Sequence, residues 1–285
     1  MTEVATSSVA ALKSTAPLLL IHPVGVGLSS CFWDRFKHEW QCGSDARQLL
    51  APDLLGCGDA PMPRRPLSPE DWATALIEGL RDQTSEPVVL VSQGASLPIA
   101  LALLEQAPEM VSGLVAISPP GWRVLHDAFP QQRARNLWRL LFSGPAGGLF
   151  YRYARRRSFL KSFSIKNLFA RSEDVDHEWL ETLEEGSRTM DSRWAVFSFL
   201  AGFWRRDWEP QLTGLRLPLL IVFGRSATGI GRSLNWDDAG ERLHTYRSKM
   251  PNADFSTIEG RNVLPYESTQ ACVDCVRGWL HAAST

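Results

Sequence analysis

Two serines in a tight turn are the first residues of this chain that could do nucleophilic chemistry. Ser92 and Ser96 flank Gly94 in the segment Ser-Gln-Gly-Ala-Ser, which joins an apolar, β-branched run to an apolar stretch of helical length. A serine hydroxyl becomes a nucleophile when an imidazole takes its proton and a carboxylate orients that imidazole. His126 is the candidate base, and Asp127 is the one carboxylate identifiable beside it. A pair of His126 with Ser92 or Ser96, which we call the displaced dyad, is therefore one hypothesis. It is set against the expectation that Ser92, at the end of a buried strand, bonds to backbone.

Alternating apolar runs and amphipathic stretches predict the elements that would position these residues. Short apolar runs indicate buried strands, and longer periodic stretches indicate helices. The predicted strands cover residues 18–21, 48–51, 88–91, 114–118, 217–223 and 254–258. The predicted helices cover residues 32–40, 70–83, 97–104, 236–250 and 266–283. This alternation predicts the α/β class, with a doubly wound, mostly parallel sheet and right-handed crossovers.

The alternation is interrupted once, and the interruption divides the chain. Residues 126–208 contain no convincing strand, which predicts a helical cap inserted into a core made of residues 16–125 and 209–285. In an open α/β sheet an insertion at this point covers the carboxyl ends of the strands, where ligands bind. Residues 1–15 are predicted to form a flexible tail.

Four segments carry a resemblance to a known family. They are the His-Pro-Val loop at 22–24, Pro-Asp-Leu-Leu-Gly-Cys-Gly at 52–58, the Ser-x-Gly-x-Ser turn at 92–96, and Ile-Glu-Gly-Arg-Asn-Val-Leu-Pro-Tyr-Glu at 258–267. The chain resembles the α/β-hydrolase superfamily over nearly its whole length. The turn is similar to the family's Gly-x-Ser-x-Gly nucleophile elbow. The cap has a diffuse likeness to the branch with haloalkane dehalogenases and chlorophyll-dephytylating esterases.

The resemblance implies positions for a catalytic triad, and none of them holds a catalytic side chain. The nucleophile falls on Gly94, the acid on Ala227 and the base on Asn262. Glycine keeps the strained corner possible, because it lacks the Cβ that penalises a left-handed backbone. The oxyanion hole uses backbone N–H groups, here those of Val24 and Ala95, which substitution of side chains does not remove. The resemblance therefore implies a degenerate triad beside a retained nook for a carbonyl or an anion.

The predicted cap is strongly basic over part of its length. Residues 128–172 contain ten Lys and Arg, no Asp or Glu, and many interleaved aromatic residues. The cluster Arg155, Arg156, Arg157 and Lys161 is the candidate contact surface. Such a pattern suits an anionic membrane surface or an acidic partner. Aromatic side chains that face the sheet, with the arginines in water, would produce the same pattern.

Composition narrows the functional classes. The net charge is −1, so no nucleic-acid partner is expected. No cofactor or metal is expected either. Five cysteines form no disulfide framework and favour a reducing compartment, so a cytoplasmic or peripherally membrane-associated location is expected.

Two functional hypotheses remain open from the sequence. One is a non-hydrolytic binding, accessory or assembly protein for a bulky apolar ligand, a partner protein or a membrane surface. The other is an esterase or lyase on a hydrophobic substrate that uses the displaced dyad and the nook.

Overall fold

A six-stranded parallel sheet forms the centre of the protein. A computed structural model describes residues 12–127, 129–230 and 238–284. The strands are β1 (Leu18–Ile21), β2 (Leu49–Leu50), β3 (Val88–Gln93), β4 (Val111–Ile117), β5 (Leu219–Gly224) and β6 (Asp254–Ile258). Their order is β2-β1-β3-β4-β5-β6, and every neighbouring pair is parallel. The predicted α/β fold with a parallel sheet is confirmed.

Helices join the strands and cover both faces of the sheet. The core helices are α1 (Asp34–Gln41), α2 (Pro69–Arg81), α3 (Leu97–Gln106), α11 (Ala239–Lys249), α12 (Leu264–Glu267) and α13 (Thr269–Ala283). Trp72 of α2 and Leu101 of α3 belong to the apolar cluster on one face. Phe36 of α1 and Val276 of α13 belong to the cluster on the other face. Because the central strands β1, β3, β4 and β5 are covered on both sides, their residues form mostly apolar runs instead of alternating with polar ones. The edge strand β6 is partly exposed and contains polar residues.

The described residues between β4 and β5 form helices and turns. These helices are α4 (Trp122–His126), α5 (Gln131–Leu137), α6 (Pro145–Ala154), α7 (Arg157–Asn167), α8 (His177–Gly186), α9 (Arg193–Ala201) and α10 (Glu209–Gly214), with a π-helical turn at Trp138–Phe142. We call the segment from α5 to α9 the cap. It has its own aromatic cluster around Phe142, Tyr151, Trp194 and Phe197. The cap therefore packs internally as well as against the core.

The register of the central strands places the candidate site. Ile21 of β1 pairs with Ser92 of β3, and Gln93 pairs with Ile117 of β4. The chain segments that follow these three strands therefore all leave the sheet at the carboxyl ends of the strands. Ligands of open α/β sheets bind at these carboxyl ends.

The amino-terminal segment differs in part from the predicted tail. Residues 1–11 lie outside the described residues. Leu12 is buried, and its N–H donates to the carbonyl oxygen of Ala283 at 2.9 Å. Leu12 packs beside Gly113 of β4, and a Cβ added to this glycine would lie 3.0 Å from the leucine side chain.

None of the helices within residues 12–127, 129–230 and 238–284 combines the length and apolarity needed to cross a bilayer.

Candidate functional site

The turn after β3, which we call the corner, has Gly94 at the position that the resemblance assigns to a nucleophile. Gly94 has φ +59°, in the left-handed region that favours glycine. A Cβ built on Gly94 would meet only the carbonyl oxygen of Ser118, 4.0 Å away. A single Cβ would therefore fit at this position, and only the backbone conformation requires glycine.

The hydroxyl groups of Ser92 and Ser96, which flank the corner, form hydrogen bonds to backbone groups. The Ser96 hydroxyl is buried, lies 3.0 Å from the carbonyl oxygen of Ile21 and accepts a hydrogen bond from the Gln93 N–H. The buried Ser92 hydroxyl donates to the carbonyl oxygen of Val115 at 3.4 Å. Both hydroxyls therefore hold neighbouring strand ends together.

The imidazole of His126 lies among acids that the sequence did not associate with it. Its Nδ1 is 3.0 Å from Oε2 of Glu209 and 3.3 Å from Oδ1 of Asp207. Asp127, the carboxylate expected to orient it, instead pairs with Arg123. Within the described part of the chain, His126 has no contact with Ser92 or Ser96, so the structure does not assemble the displaced dyad. The two acids were missed because they are about 80 positions away in sequence.

These three side chains also form the one group, among the described residues, whose spacing would suit a metal ion. Their ligand atoms all lie within 4.8 Å of one another. However, His126 and Asp207 are exposed, and the Lys249 ammonium is 2.7 Å from Oε1 of Glu209. This hydrogen bond is the largest cause of the lowered pKa of Glu209. The arrangement favours a surface network of ion pairs over a bound cation.

The positions that the resemblance assigns to an acid and a base, Ala227 and Asn262, lie next to each other. The buried Asn262 side chain donates from Nδ2 to the carbonyl oxygens of Asn167 and Thr228, at 2.7 and 3.0 Å. Thr228 directly follows Ala227, which is buried. The Gln93 side chain donates to the carbonyl oxygen of Asn262 at 2.6 Å. Gly94, Ala227 and Asn262 are therefore near one another, and Asn262 holds the cap to the core there.

The loop that carries Asn262 forms further bonds to the end of α7. Arg261 donates from Nη1 to the carbonyl oxygen of Lys166 at 2.6 Å. The Glu267 carboxylate accepts hydrogen bonds from the N–H groups of Arg261 and Ala170. Burial raises the pKa of Glu267 despite these bonds. Hydrogen bonds of Arg261, Asn262 and Glu267 therefore hold this loop to residues 166–170.

The proposed oxyanion amides follow two paired strands. Val24 comes shortly after β1, and Ala95 comes after β3. Neither N–H has a protein acceptor among the described residues. His22 supports the first loop, because its Nδ1 is 3.0 Å from the Pro23 oxygen and its Nε2 accepts from the Leu54 N–H at 3.0 Å. Burial lowers the pKa of His22, so the imidazole is neutral and structural.

Two cap helices contact the loops that follow β1 and β2. A Cβ on Gly27 would lie 1.9 Å from the carbonyl oxygen of Leu183 in α8. A Cβ on Gly56 would lie 2.8 Å from Cβ of Ala195 in α9. The glycines of the two loops therefore set how closely the cap approaches the core.

A buried hydroxyl at the corner was missed by the sequence analysis. Ser118 has φ +45°, the one positive φ among described non-glycine residues, and its hydroxyl is buried without a hydrogen-bond partner in the described structure. Left-handed backbone at a residue with a Cβ costs about 1–2 kcal/mol and is found at ligand sites. No signal in the sequence marks this conformation.

The basic cluster predicted for the cap divides into two pairs. Arg155 donates to the carbonyl oxygens of Ser187 and Arg188, and Arg157 pairs with Glu184. Arg156 and Lys161 are exposed, with no carboxylate partner among the described residues. Arg155 and Arg157 therefore fasten α6 and α7 to α8. The contact surface itself stays a prediction, with Arg156 and Lys161 as its exposed members.

Comparisons with known proteins agree with this architecture. A family model described as the alpha/beta hydrolase family matches residues 18–274. Among curated proteins, no sequence match was found.

Several solved structures share the fold across most of the chain. An esterase from Thermogutta terrifontis has a TM-score of 0.71 and 19% identity, covering 99% of this chain and 97% of its own. A meta-cleavage product hydrolase from Pseudomonas fluorescens has a TM-score of 0.69 and 16% identity, covering 96% and 93%. A haloalkane dehalogenase from Agrobacterium tumefaciens has a TM-score of 0.68 and 19% identity, covering 95% and 91%. At these identities the likeness establishes the fold alone.

Proposed function

Because the chain belongs to the alpha/beta hydrolase family, we propose that it is a non-hydrolytic member that binds an apolar molecule through a carbonyl or carboxylate oxygen. One observation carries this proposal. The corner keeps its left-handed backbone, while the three triad positions are Gly94, Ala227 and Asn262, and Asn262 is bonded into the cap.

The polar groups at the corner support a bound oxygen. The N–H groups of Val24 and Ala95 have no protein acceptor among the described residues, so they can donate to a ligand oxygen. The buried Ser118 hydroxyl lacks a partner there, and a buried polar group without a partner is costly. A ligand oxygen would satisfy these groups. With no hydroxyl and imidazole in contact beside it, the ligand is held and not cleaved.

Binding is tested with decanoate below its micelle concentration, measured by equilibrium dialysis. We expect saturable binding to the wild type and a loss of at least about tenfold in affinity for Ser118→Gly, since one hydrogen bond to a charged group is worth roughly 1.5–3 kcal/mol. The same variant should be at least as stable as the wild type, because glycine relieves the positive φ. Ser112→Gly on the same strand is the control for a serine removed away from the corner. Unchanged affinity in Ser118→Gly, or no saturable binding at all, would contradict the proposal.

Hydrolysis by His126 is the second candidate function. The contacts of His126 with Asp207 and Glu209 favour it, because carboxylates orient an imidazole base. The structural neighbours, which are named as an esterase, a hydrolase and a dehalogenase, are equally compatible with it.

Esters of 4-nitrophenol with acyl chains of two to twelve carbons, together with a fluorophosphonate probe, separate the two candidates. The binding proposal expects no labelling and no turnover above that of buffer. Turnover that is abolished by His126→Ala would reject the binding proposal and establish the second candidate.

A further inference from the structure

The outer face of the cap combines exposed apolar side chains with exposed cations. Six of the eight large hydrophobic residues that are exposed in the described chain lie in this one segment: Leu140, Leu141, Leu149, Phe150, Tyr153 and Phe163. Exposed cations stand among them: Arg133, Arg135, Arg139, Arg152, Arg156, Lys161 and Lys166. We call this set the basic-apolar face. Leu140 is 84% exposed and Leu149 is 65% exposed, which is unusual for leucines within helices.

The cations of the basic-apolar face are not neutralised by the protein. Within the described residues, none of these seven has a carboxylate within 4.0 Å, whereas neighbouring Arg157 pairs with Glu184 and Arg171 pairs with Glu173. Residues 128–172 contain no acidic residue at all. Positive charge is therefore concentrated in one segment of a chain whose net charge is only −1.

The apolar side chains form a strip that runs from α6 to α7. Leu149 and Tyr153 lie one helical turn apart on α6, and the rings of Tyr153 and Phe159 have centroids 5.2 Å apart. Phe159 continues to Phe163 at 6.2 Å. The Arg156 guanidinium lies 5.8 Å from the Tyr153 ring, which places a cation at the side of the strip.

The opposite side of α6 is buried inside the cap. Gly147, Tyr151 and Ala154 are buried, and the Tyr151 hydroxyl hydrogen bonds to that of Ser192 at 2.7 Å. Burial raises the pKa of Tyr151 to about 12. Because this buried face fixes the rotation of the helix, Leu149 and Tyr153 cannot turn inward and remain available to a partner.

We propose that the basic-apolar face docks on an anionic lipid bilayer, with α6 and α7 lying in the plane of the interface. Leucine and aromatic side chains enter the boundary between headgroups and acyl chains, and the surrounding cations contact anionic headgroups. A bilayer matches both properties of the face at once, because its headgroups are anionic and its acyl chains accept apolar side chains. This inference is independent of what the corner at Gly94 binds.

Sedimentation of the full chain with vesicles tests the inference. We expect binding to vesicles of phosphatidylcholine with 30% phosphatidylglycerol, and at least about tenfold weaker binding to pure phosphatidylcholine, because each cation near such a surface contributes roughly 1 kcal/mol. Arg139→Glu with Arg152→Glu should weaken binding to the anionic vesicles by at least about tenfold. Arg81→Glu, an exposed cation on α2, is the matched control and should change it little.

The apolar contribution needs its own pair of variants. Leu140→Ser with Leu149→Ser should also weaken binding to the anionic vesicles by about tenfold or more. Leu200→Ser, on the exposed side of α9, is the control. Equal binding to both vesicle types, or no binding to either, would reject the inference. If the charge reversals abolish binding and the leucine pair has no effect, the face attracts acidic partners by charge alone and does not enter a bilayer.

Discussion

The Gln93 side-chain amide donates a hydrogen bond to the backbone oxygen of Asn262, with 2.6 Å between Nε2 and O. This bond joins the end of β3 to the loop after β6, although β4 and β5 lie between them in the sheet. In a serine hydrolase the corresponding elements bring the nucleophile and the base together. In this chain the contact between these elements fixes the cap, since Asn262 in turn bonds to Asn167 at the end of α7.

Replacement of Asn262 by aspartate tests this structural role. Asn262→Asp removes two donated hydrogen bonds and places a carboxylate against two carbonyl oxygens. We expect the free energy of unfolding in urea at pH 7 to fall by about 3 kcal/mol. Amide hydrogen exchange at residues 167–169 should accelerate. Asn136→Asp, the same change on an exposed helix, should alter stability by less than about 0.5 kcal/mol. Equal effects of the two changes would show that Asn262 does not hold the cap.

Two glycines with positive φ should respond differently to alanine. Gly94→Ala meets open space, so only the backbone strain of about 1 kcal/mol is expected. Gly27→Ala has the same strain and also drives a Cβ to 1.9 Å from the Leu183 oxygen, so α8 must move. We expect Gly27→Ala to lower the free energy of unfolding by at least about 2 kcal/mol more than Gly94→Ala, measured in urea. A larger loss for Gly94→Ala would mean that the corner is filled and not open.

Asp176 links the cap to the core through three contacts. It caps α8 by accepting from the Trp179 N–H at 2.8 Å, pairs with Arg35 at 2.6 Å, and accepts from the Tyr266 hydroxyl at 2.8 Å. Burial opposes ionisation of Asp176, but these hydrogen bonds outweigh burial and lower its pKa.

Removal of this carboxylate should therefore cost more than the loss of a helix cap. Asp176→Ala is expected to lower the free energy of unfolding by about 2–3 kcal/mol at pH 7. Asp238→Ala is the matched control, because Asp238 caps α11 through the Glu241 N–H at 2.8 Å and should cost about 1 kcal/mol. Thermal and urea unfolding measure both. If the two variants lose the same stability, the contacts to Arg35 and Tyr266 contribute nothing.

His22 should make the fold sensitive to mild acid. Burial lowers the pKa of His22 below its ordinary value of 6.5, so the unfolded chain binds a proton at a higher pH than the folded chain. The stability that this histidine supports is present above pH 6.5 and is lost as pH falls from there to the folded pKa, by up to about 1.4 kcal/mol per pH unit.

A histidine variant that cannot titrate isolates this effect. His22→Gln should be less stable at pH 7.5 but should lose less stability between pH 7.5 and pH 5.5 than the wild type, in urea unfolding at each pH. His177→Gln, at an exposed position on α8, should leave the pH dependence of the wild type nearly unchanged. A wild-type slope that persists in His22→Gln would assign the acid sensitivity to other groups.

The sequence by itself determined the strands, their alternation with helices, and which functional groups stand at residues 94, 227 and 262. Val88 to Val91 is apolar on both faces because β3 is covered from both sides, and this burial is visible in the composition of the run. The absence of a hydroxyl at Gly94 and of an imidazole at Asn262 is a property of the residues themselves. Sequence can establish such absences because no packing arrangement restores a missing functional group.

Only the tertiary structure decided which polar groups meet. In the structure His126 contacts Glu209 instead of Asp127. Arg155 hydrogen bonds to the backbone of Ser187, whereas Arg156 is exposed to solvent. Contacts between residues far apart in the chain depend on how helices pack, and helical periodicity gives no register between one helix and the next. The left-handed backbone of Ser118, which directly follows β4, likewise has no signal in the sequence.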